Sequence, residues 1–464
     1  MINTKEIQAI DSAHYMHPFT DHKSLSDKGS RIITKADGIY IWDSTGEKIL
    51  DAMSGLWCVN IGYGRQELVD AAAKQMLELP YYNSFFQTTN VPAVKLAEKI
   101  IKLAGNDYSH VFFSSSGSES NDTNVRMVRH YWATLGQPER TVIISRNNAY
   151  HGSTLVGSSL GGMKDMHAQG GMIPGIEHIE QPYHYGIAPN QDRDAFGIEA
   201  AGWLEKKILE VGADKVGAFI GEPVQGAGGV IIPPKTYWPE IQRICDKYGI
   251  LLICDEVICG FGRLGKWFGS QLLGCKPDLI TFAKGVTSGY IPLGGVVVGK
   301  RVAKVLIEQG GEFNHGYTYS GHPTACAVAL ANIEIMEREG LVDKVLNETG
   351  PYLAQKYVEL AKHPLVGGVE TLGLVAGFVL MKDKANHVHF DEDIGVGMIC
   401  RGHCFANGLI MRAVGDRMII APPLAITKAQ IDEMVALIQK CLDATLADLK
   451  AQGFMINKLY PPCN

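Results

Sequence analysis

The chain reads as an α/β protein: a large unit built on a mainly parallel central sheet, with a smaller α/β unit beside it. Three observations predict this. From about residue 65 to 300, helical stretches alternate with short apolar runs at 110–113, 141–144, 216–220, 250–254, 278–282 and 295–298. The runs are continuously apolar, as in parallel strands covered on both faces by helices. Beyond Gly321 the regular alternation stops, which marks a second unit. The 464 residues suffice for both. The expected division is an N-terminal arm and part of the small domain over 1–60, a large domain over 61–330, and a C-terminal small domain over 331–464.

Residues 1–30 are polar and His-rich, and read as an irregular arm or a short helix. Runs at 38–43 and 47–51 flank Ser44-Thr45-Gly46, a hairpin signal. The strand at 110–113 leads into a helix with Val125, Val128, Trp132 and Leu135 on one face. After Gly321 the chain is helical to about Arg338. Runs at 408–412 and 417–420 read as strands, and Thr427-Lys-Ala-Gln430 is a capping-box pattern opening a closing helix.

Composition excludes several classes. The chain is 46% hydrophobic and 20% charged, ordinary for a globular fold. Its net charge of −6, without a basic block, points to neither nucleic acid nor an anionic membrane. No apolar run has the length of a membrane span, and Met1-Ile-Asn-Thr-Lys-Glu lacks the pattern of a signal peptide. Ten scattered cysteines show no CxxC pair and no zinc-type spacing, so reduced, mostly buried thiols, no metal and a cytoplasmic setting are expected.

Five strand ends carry chemistry. Ser114-Ser-Ser-Gly117-Ser118-Glu119 joins a strand to a helix, where free N–H groups and the positive end of the macrodipole favour an anion; a plain helix cap reads equally well. Tyr150-His151-Gly152 follows the 141–144 strand and offers an aromatic plate, or an ordinary packed tyrosine. Glu222-Pro223-Val-Gln-Gly226 places an acid and a glycine-rich loop after 216–220. Asp255 closes the 250–254 run. Ligands bind beyond the carboxyl ends of parallel strands, and a buried carboxylate there needs a cationic or hydrogen-bonding partner. Lys284 ends the 278–282 run. A desolvated amine has a lowered pKa and can form a Schiff base with an aldehyde, though alone a lysine is usually solvated. Together these are the parts that hold a pyridine ring bearing a phosphate and an aldehyde.

The set resembles the class III pyridoxal-phosphate aminotransferases of fold type I over nearly the whole chain. Ser116-Gly117-Ser118-Glu119, Tyr150-His151-Gly152, Glu222-Pro223-Val-Gln-Gly226, Asp255-Glu256-Val257 and Ala283-Lys284-Gly285 match the family motifs in order and spacing. The nearer resemblance is to the ω-amine:pyruvate group, and within it to putrescine:pyruvate-type enzymes. Its marks are the motifs around Trp57, His315–Pro323 and Asn407-Gly-Leu-Ile-Met-Arg412. The resemblance implies pyridoxal phosphate bound in the large domain as a Schiff base on Lys284, with Asp255 on the pyridine nitrogen. It implies Val257 and Tyr150 on the two ring faces, Ser116, Gly117 and Ser118 on the phosphate, and Glu222 beside the cofactor. Tyr317 and Thr318 would reach the phosphate of a neighbouring subunit, so a homodimer, or a tetramer built from it, is expected, with active sites at the interface. Trp57, Phe85 and Phe86 look like the aromatic wall of the amine pocket. Arg412 resembles a mobile arginine that swings in for a carboxylate, a task suited to its fork of donors.

Three departures bear on substrate. Ornithine- and GABA-type relatives carry a glutamate where Ala227 stands and a glutamine where Ile258 stands; both changes favour the amine:pyruvate group. Some aromatic-amine enzymes have a tyrosine near Asp165, where an acid offers either a site for a second ammonium or a plain solvated carboxylate. The expected reaction moves an amino group from a primary amine or diamine to pyruvate, giving an aldehyde and L-alanine. The alternatives are a β-alanine-, taurine- or other ω-amino-acid:pyruvate enzyme, or a decarboxylase or aminomutase of the same fold.

Overall fold

The computed structural model describes residues 2–454 and 456. The large sheet has seven strands: β4 (Tyr108–Ser114), β5 (Val142–Arg146), β6 (Ile176–Ile179), β7 (Val216–Gly221), β8 (Leu251–Asp255), β9 (Leu279–Phe282) and β10 (Gly294–Gly299). Their spatial order is β4-β10-β9-β8-β7-β5-β6. Only β10 runs against its neighbours, antiparallel to both β4 and β9. The sheet is therefore mainly parallel, and Ser114, Arg146, Gly221, Asp255 and Phe282 all end at one edge.

Strands β7 to β10 are buried at every position, which explains their unbroken apolar sequence. Alternate side chains enter opposite cores. Ala218 and Ile220 pack with Val125, Val128 and Trp132 of the Gly117–Thr134 helix. Phe219 packs with Phe196 and Leu204 of the Arg193–Val211 helix and Ile241 of the Tyr237–Tyr248 helix. Leu135 departs from the expected face: it lies just past the helix end and is exposed, because Gly136 turns the chain at φ 72°.

Two four-stranded sheets flank this layer. One contains β1 (Ile33–Asp37), β2 (Tyr40–Asp43) and β3 (Lys48–Asp51), and is completed by β13 (Leu409–Ile410). The β2–β3 turn forms as expected: Asp43 Oδ1 accepts from the backbone of Thr45 and Glu47, and Gly46 takes φ 89°. The other contains β11 (Val366–Leu372), β12 (Val375–Leu380), β14 (Arg412–Val414) and β15 (Arg417–Ile420). The strand expected over 408–412 thus divides at Met411. Leu409 and Ile410 pair with β3, whereas Arg412 pairs with Ile419 of β15. This crossing aims Arg412 at the site. The first thirty residues hold two short helices, Thr4–His14 and His22–Lys28, and Thr427 and Gln430 close the expected capping box.

Candidate active site

A cavity of about 780 Å³ opens at the carboxyl edge of the large sheet, where the strand-end motifs converge. Ser116 caps the Gly117–Thr134 helix, its Oγ accepting from Glu119 N at 3.2 Å, while Glu119 Oε2 accepts from Ser115 N at 2.7 Å. The amides of Gly117 and Ser118, both in the cavity wall, have no protein acceptor among the described residues. They are the free donors of a helix N-terminus, beside its positive dipole end. Two glycines keep this corner open. A Cβ on Gly117 would lie 2.8 Å from Val257 Cγ2, and one on Gly152 would lie 2.6 Å from Ser118 Oγ.

Asp255 is buried at the end of β8. Its Oδ1 accepts from Val257 N at 3.1 Å; its Oδ2 accepts from Asn121 Nδ2 at 2.7 Å and faces His151 Nδ1 at 2.8 Å. Glu222 stands beside it, accepting from the amides of Tyr150 at 3.2 Å and Gly226 at 2.8 Å. Burial lifts Glu222 above the ordinary carboxyl range, against the pull of His151. The Tyr150 ring forms part of the wall, and Phe19 meets it edge-on with 6.2 Å between centroids.

Lys284 follows β9 after Ala283 and opens a single 3-10 turn, Lys284–Val286, with φ 51°, a left-handed conformation that is uncommon outside glycine. Part of its side chain reaches the cavity. Burial lowers its pKa, while Asp255, Cys58 and Glu222 pull it partly back. The expected combination of a desolvated amine and a strand-end carboxylate in one cavity is therefore present.

The outer part of the cavity is built differently. Trp57 is buried in its wall with φ 66°, on a strained turn that also holds Ser54 at φ 49° and Gly55 at φ 67°. Asp51 secures that turn by accepting from Met53 N, Gly55 N and Tyr63 Oη. Arg412 reaches the cavity from β14, and its Nη2 lies 3.5 Å from Ala227 O. Burial, aided by the charge of Arg401, lowers its pKa. Among the described residues, no ion pair involves Arg412.

Several expected site residues stand apart from this cavity within one chain. Phe85 and Phe86 are exposed and do not line it, nor do Tyr317 and Thr318. The two segments are tied to one another: Tyr81 Oη donates to Thr318 O at 2.7 Å, and Ser84 Oγ donates to Ser320 O at 3.1 Å. Asp165 is exposed in the first turn of the Lys164–Gly170 helix, and the neighbouring Met163 lines the cavity instead.

Sequence reasoning passed over Asn121, Phe19, Leu56, Met398 and Arg401. Asn121 carried a usable signal: it shares a helix face with Asn124, Val125 and Val128, and a polar residue on a buried face needs a partner. The others lie outside any strand end, and only the fold brings them to the cavity.

The family model for class III aminotransferases matches residues 24–442. The chain belongs to the class III aminotransferase family. It is 61% identical over 449 residues to a putrescine–pyruvate aminotransferase of Pseudomonas aeruginosa, covering 97% of this chain and 98% of that one. It is 44% identical to a diaminobutyrate–2-oxoglutarate transaminase of Halomonas elongata, covering 92% and 93%. Among solved structures, the ω-transaminase of Pseudomonas jessenii in complex with PMP matches with a TM-score of 0.93 and 38% identity, over 96% of this chain and all of that one. An (S)-enantioselective ω-transaminase of Thermomicrobium roseum matches with the same TM-score at 40% identity, over 96% of this chain and 100% of that one. The fold is therefore fold type I, and the cofactor of this aminotransferase is pyridoxal phosphate. The residues present fit that group. The cavity offers unused amide donors at a helix N-terminus, kept open by Gly117 and Gly152, together with a buried carboxylate and a desolvated lysine.

Proposed function

We propose that this aminotransferase moves an amino group from a primary amine, with a putrescine-like diamine as the donor class, to pyruvate, yielding an aldehyde and L-alanine. The observation that carries the reading is Arg412: a guanidinium in the cavity wall, facing Ala227 where an acid would neutralise it, and so available to a carboxylate. The 61% identity to a putrescine–pyruvate aminotransferase supports the substrate pair.

When bound, pyridoxal phosphate supplies an aldehyde that takes the amino group and a ring that accepts the electrons released as a C–H bond breaks. Lys284 would anchor the cofactor and then act as base and acid, its Nζ taking the proton from the substrate carbon and delivering it to the cofactor carbon on the other side of the shared nitrogen. Burial lowers its pKa and so favours the free amine that takes the proton. Asp255 would hold the proton on the ring nitrogen. Ser116, Gly117 and Ser118 would receive the phosphate, Tyr150 and Val257 would sandwich the ring, and Glu222 would fix the Tyr150 backbone. Trp57 would wall the amine side. Arg412 would bind the carboxylate of pyruvate through two parallel donors.

The linked segments at 81–88 and 317–320 fit a homodimer in which each copy completes its partner's site, with Phe85, Phe86, Tyr317 and Thr318 as the contributed residues. Among the described residues no helix is long and apolar enough to cross a membrane, and a cytoplasmic location accords with this reading. The test is a panel of amines, diamines and ω-amino acids with pyruvate, read as bleaching of the cofactor's visible absorbance and as alanine formed. A diamine should be among the best donors. Alanine formed only from ω-amino acids would overturn the donor class, and no alanine from any donor would overturn the reaction.

A further inference from the structure

The Gly117–Thr134 helix does more than end at the phosphate corner. Four residues into it, Asn121 reaches across to Asp255, and all the groups involved are buried. Asn121 Nδ2 donates to Asp255 Oδ2 at 2.7 Å and to His151 O at 2.8 Å. Its own Oδ1 accepts from Thr281 Oγ1 at 2.8 Å and from Asn124 Nδ2 at 3.1 Å. Asn124 Nδ2 also donates to Thr281 Oγ1 at 2.7 Å. The hydrogen bonds run in one direction: Asn124 to Thr281, Thr281 to Asn121, Asn121 to Asp255.

That direction has a cost. Asn124 Oδ1, at the tail of the chain, is buried with no hydrogen-bond partner. Leaving a buried carbonyl unsatisfied is unfavourable, and such groups often mark a functional constraint. Here the relay of donors from Asn124 through Thr281 and Asn121 ends on the carboxylate. An ionised carboxylate has about four acceptor sites. Val257 N, His151 Nδ1 and Asn121 Nδ2 fill three of them. One remains for a donor from the cavity.

We propose that Asn121, held by Asn124 and Thr281, is a positioning residue that keeps Asp255 a pure acceptor and thereby keeps the proton on the cofactor's ring nitrogen. This rests on the reading that Asp255 faces that nitrogen. The surroundings make such a device necessary. Glu222 and Glu256 stand close enough to Asp255 to repel its charge, from the ends of β7 and β8. His151, after β5, and Lys284, after β9, are the titratable groups that oppose them. The helix contributes neutral amides, whose donors favour the carboxylate without adding a titration of their own. Hydrogen-bond chains of one polarity reinforce each bond along them. The same helix presents Gly117 and Ser118 at the phosphate corner, so phosphate and ring nitrogen would be held by one rigid element.

The test uses the holoenzyme and two readouts besides turnover: the pH midpoint of its visible absorbance change, and the dissociation constant of pyridoxal phosphate. Asn121→Ala should move the midpoint upward by about one unit and weaken cofactor binding about tenfold, the loss expected for one hydrogen bond to a charged group. Thr281→Val should shift both in the same direction by less, and Thr281→Ser, which keeps the hydroxyl, should restore them. A midpoint and a dissociation constant unchanged in Asn121→Ala would overturn the proposal, even if the melting temperature falls. If Asn121→Ala does not fold, the Thr281 pair decides: Val and Ser variants alike in both readouts would overturn it. A wild-type enzyme with no amine-dependent bleaching would instead overturn the functional reading on which the inference rests.

Discussion

The floor and the rim of the cavity are held in opposite ways. At the floor, Asp255 is 3% exposed and Glu222 is 3% exposed, and each carboxylate is pinned by backbone or amide donors from a different segment. At the rim, Phe19 is 75% exposed, Leu56 61% and Met398 57%, and among the described residues the Arg412 guanidinium makes one hydrogen bond, at 3.5 Å. The floor holds groups whose protonation states must not drift. The rim holds side chains with room to move, as a site must when it takes an amine in one half-reaction and a carboxylate in the next. Preorganised polar groups belong where charge develops, and adaptable ones where substrates alternate.

The floor depends most on Lys284. Lys284→Ala should lower steady-state alanine formation by about a thousandfold or more, because no other amine among the cavity-lining residues can move the proton. Substantial turnover by that variant would mean the floor does not perform the chemistry.

Burial behind the floor can be tested at Glu256, which follows Asp255 but does not line the cavity. Burial pushes Glu256 up to about 7 from 4.5, although the amides of Ser270 and Gly269 donate to it. The native state therefore holds more protons than the unfolded state between those values. The stabilising contribution is complete below about pH 4.5 and is lost as pH rises through about 7, by up to about 3 kcal/mol. Comparing melting temperatures at about pH 5 and about pH 8, Glu256→Gln should show a smaller fall than the wild type. Equal falls would show that the region behind the floor is wetter than its geometry indicates.

The two regions also differed in how legible they were. Strand-end residues of a parallel sheet announce themselves, because an apolar run that stops at Asp255 or Lys284 leaves that side chain at the ligand edge. The rim does not. Arg412 sits where one expected strand divides between two sheets, and no local pattern states which sheet takes the second half. Strand β11 was hidden by Gly367 and Gly368, where added Cβ atoms would meet Met381 and the Tyr185 ring at 2.2 and 2.7 Å; glycines weaken a strand signal. Phe19 and Arg401 arrive from the arm and from the Val396–Ala406 helix, far from any motif.

Arg412 is the sharpest probe of the rim. Arg412→Ala should slow the pyruvate half-reaction about tenfold to a hundredfold, the worth of a charge-assisted bidentate contact, and leave the amine half-reaction nearly unchanged. Single-turnover measurement of each half separates the two. Equal losses in both would make Arg412 a structural part of the wall rather than a carboxylate site.

The smallest effect is expected at Asp165. Its carboxylate is exposed in the first turn of a helix, where a negative charge suits the positive end of the dipole, and Met163 rather than Asp165 faces the cavity. A solvated acid outside the cavity wall is screened by salt and adds little to the binding of a second ammonium. Asp165→Asn should therefore leave the ratio of kcat/KM for putrescine over a simple monoamine within about twofold of the wild type. The inner wall holds no other free acid among the described residues, since Glu222 and Asp255 are both engaged. Discrimination for a diamine would then rest on the length and apolar lining of the cavity, or on groups contributed by a partner subunit. A large fall in that ratio would place Asp165 at the site and extend the polar, fixed character of the floor out to the rim.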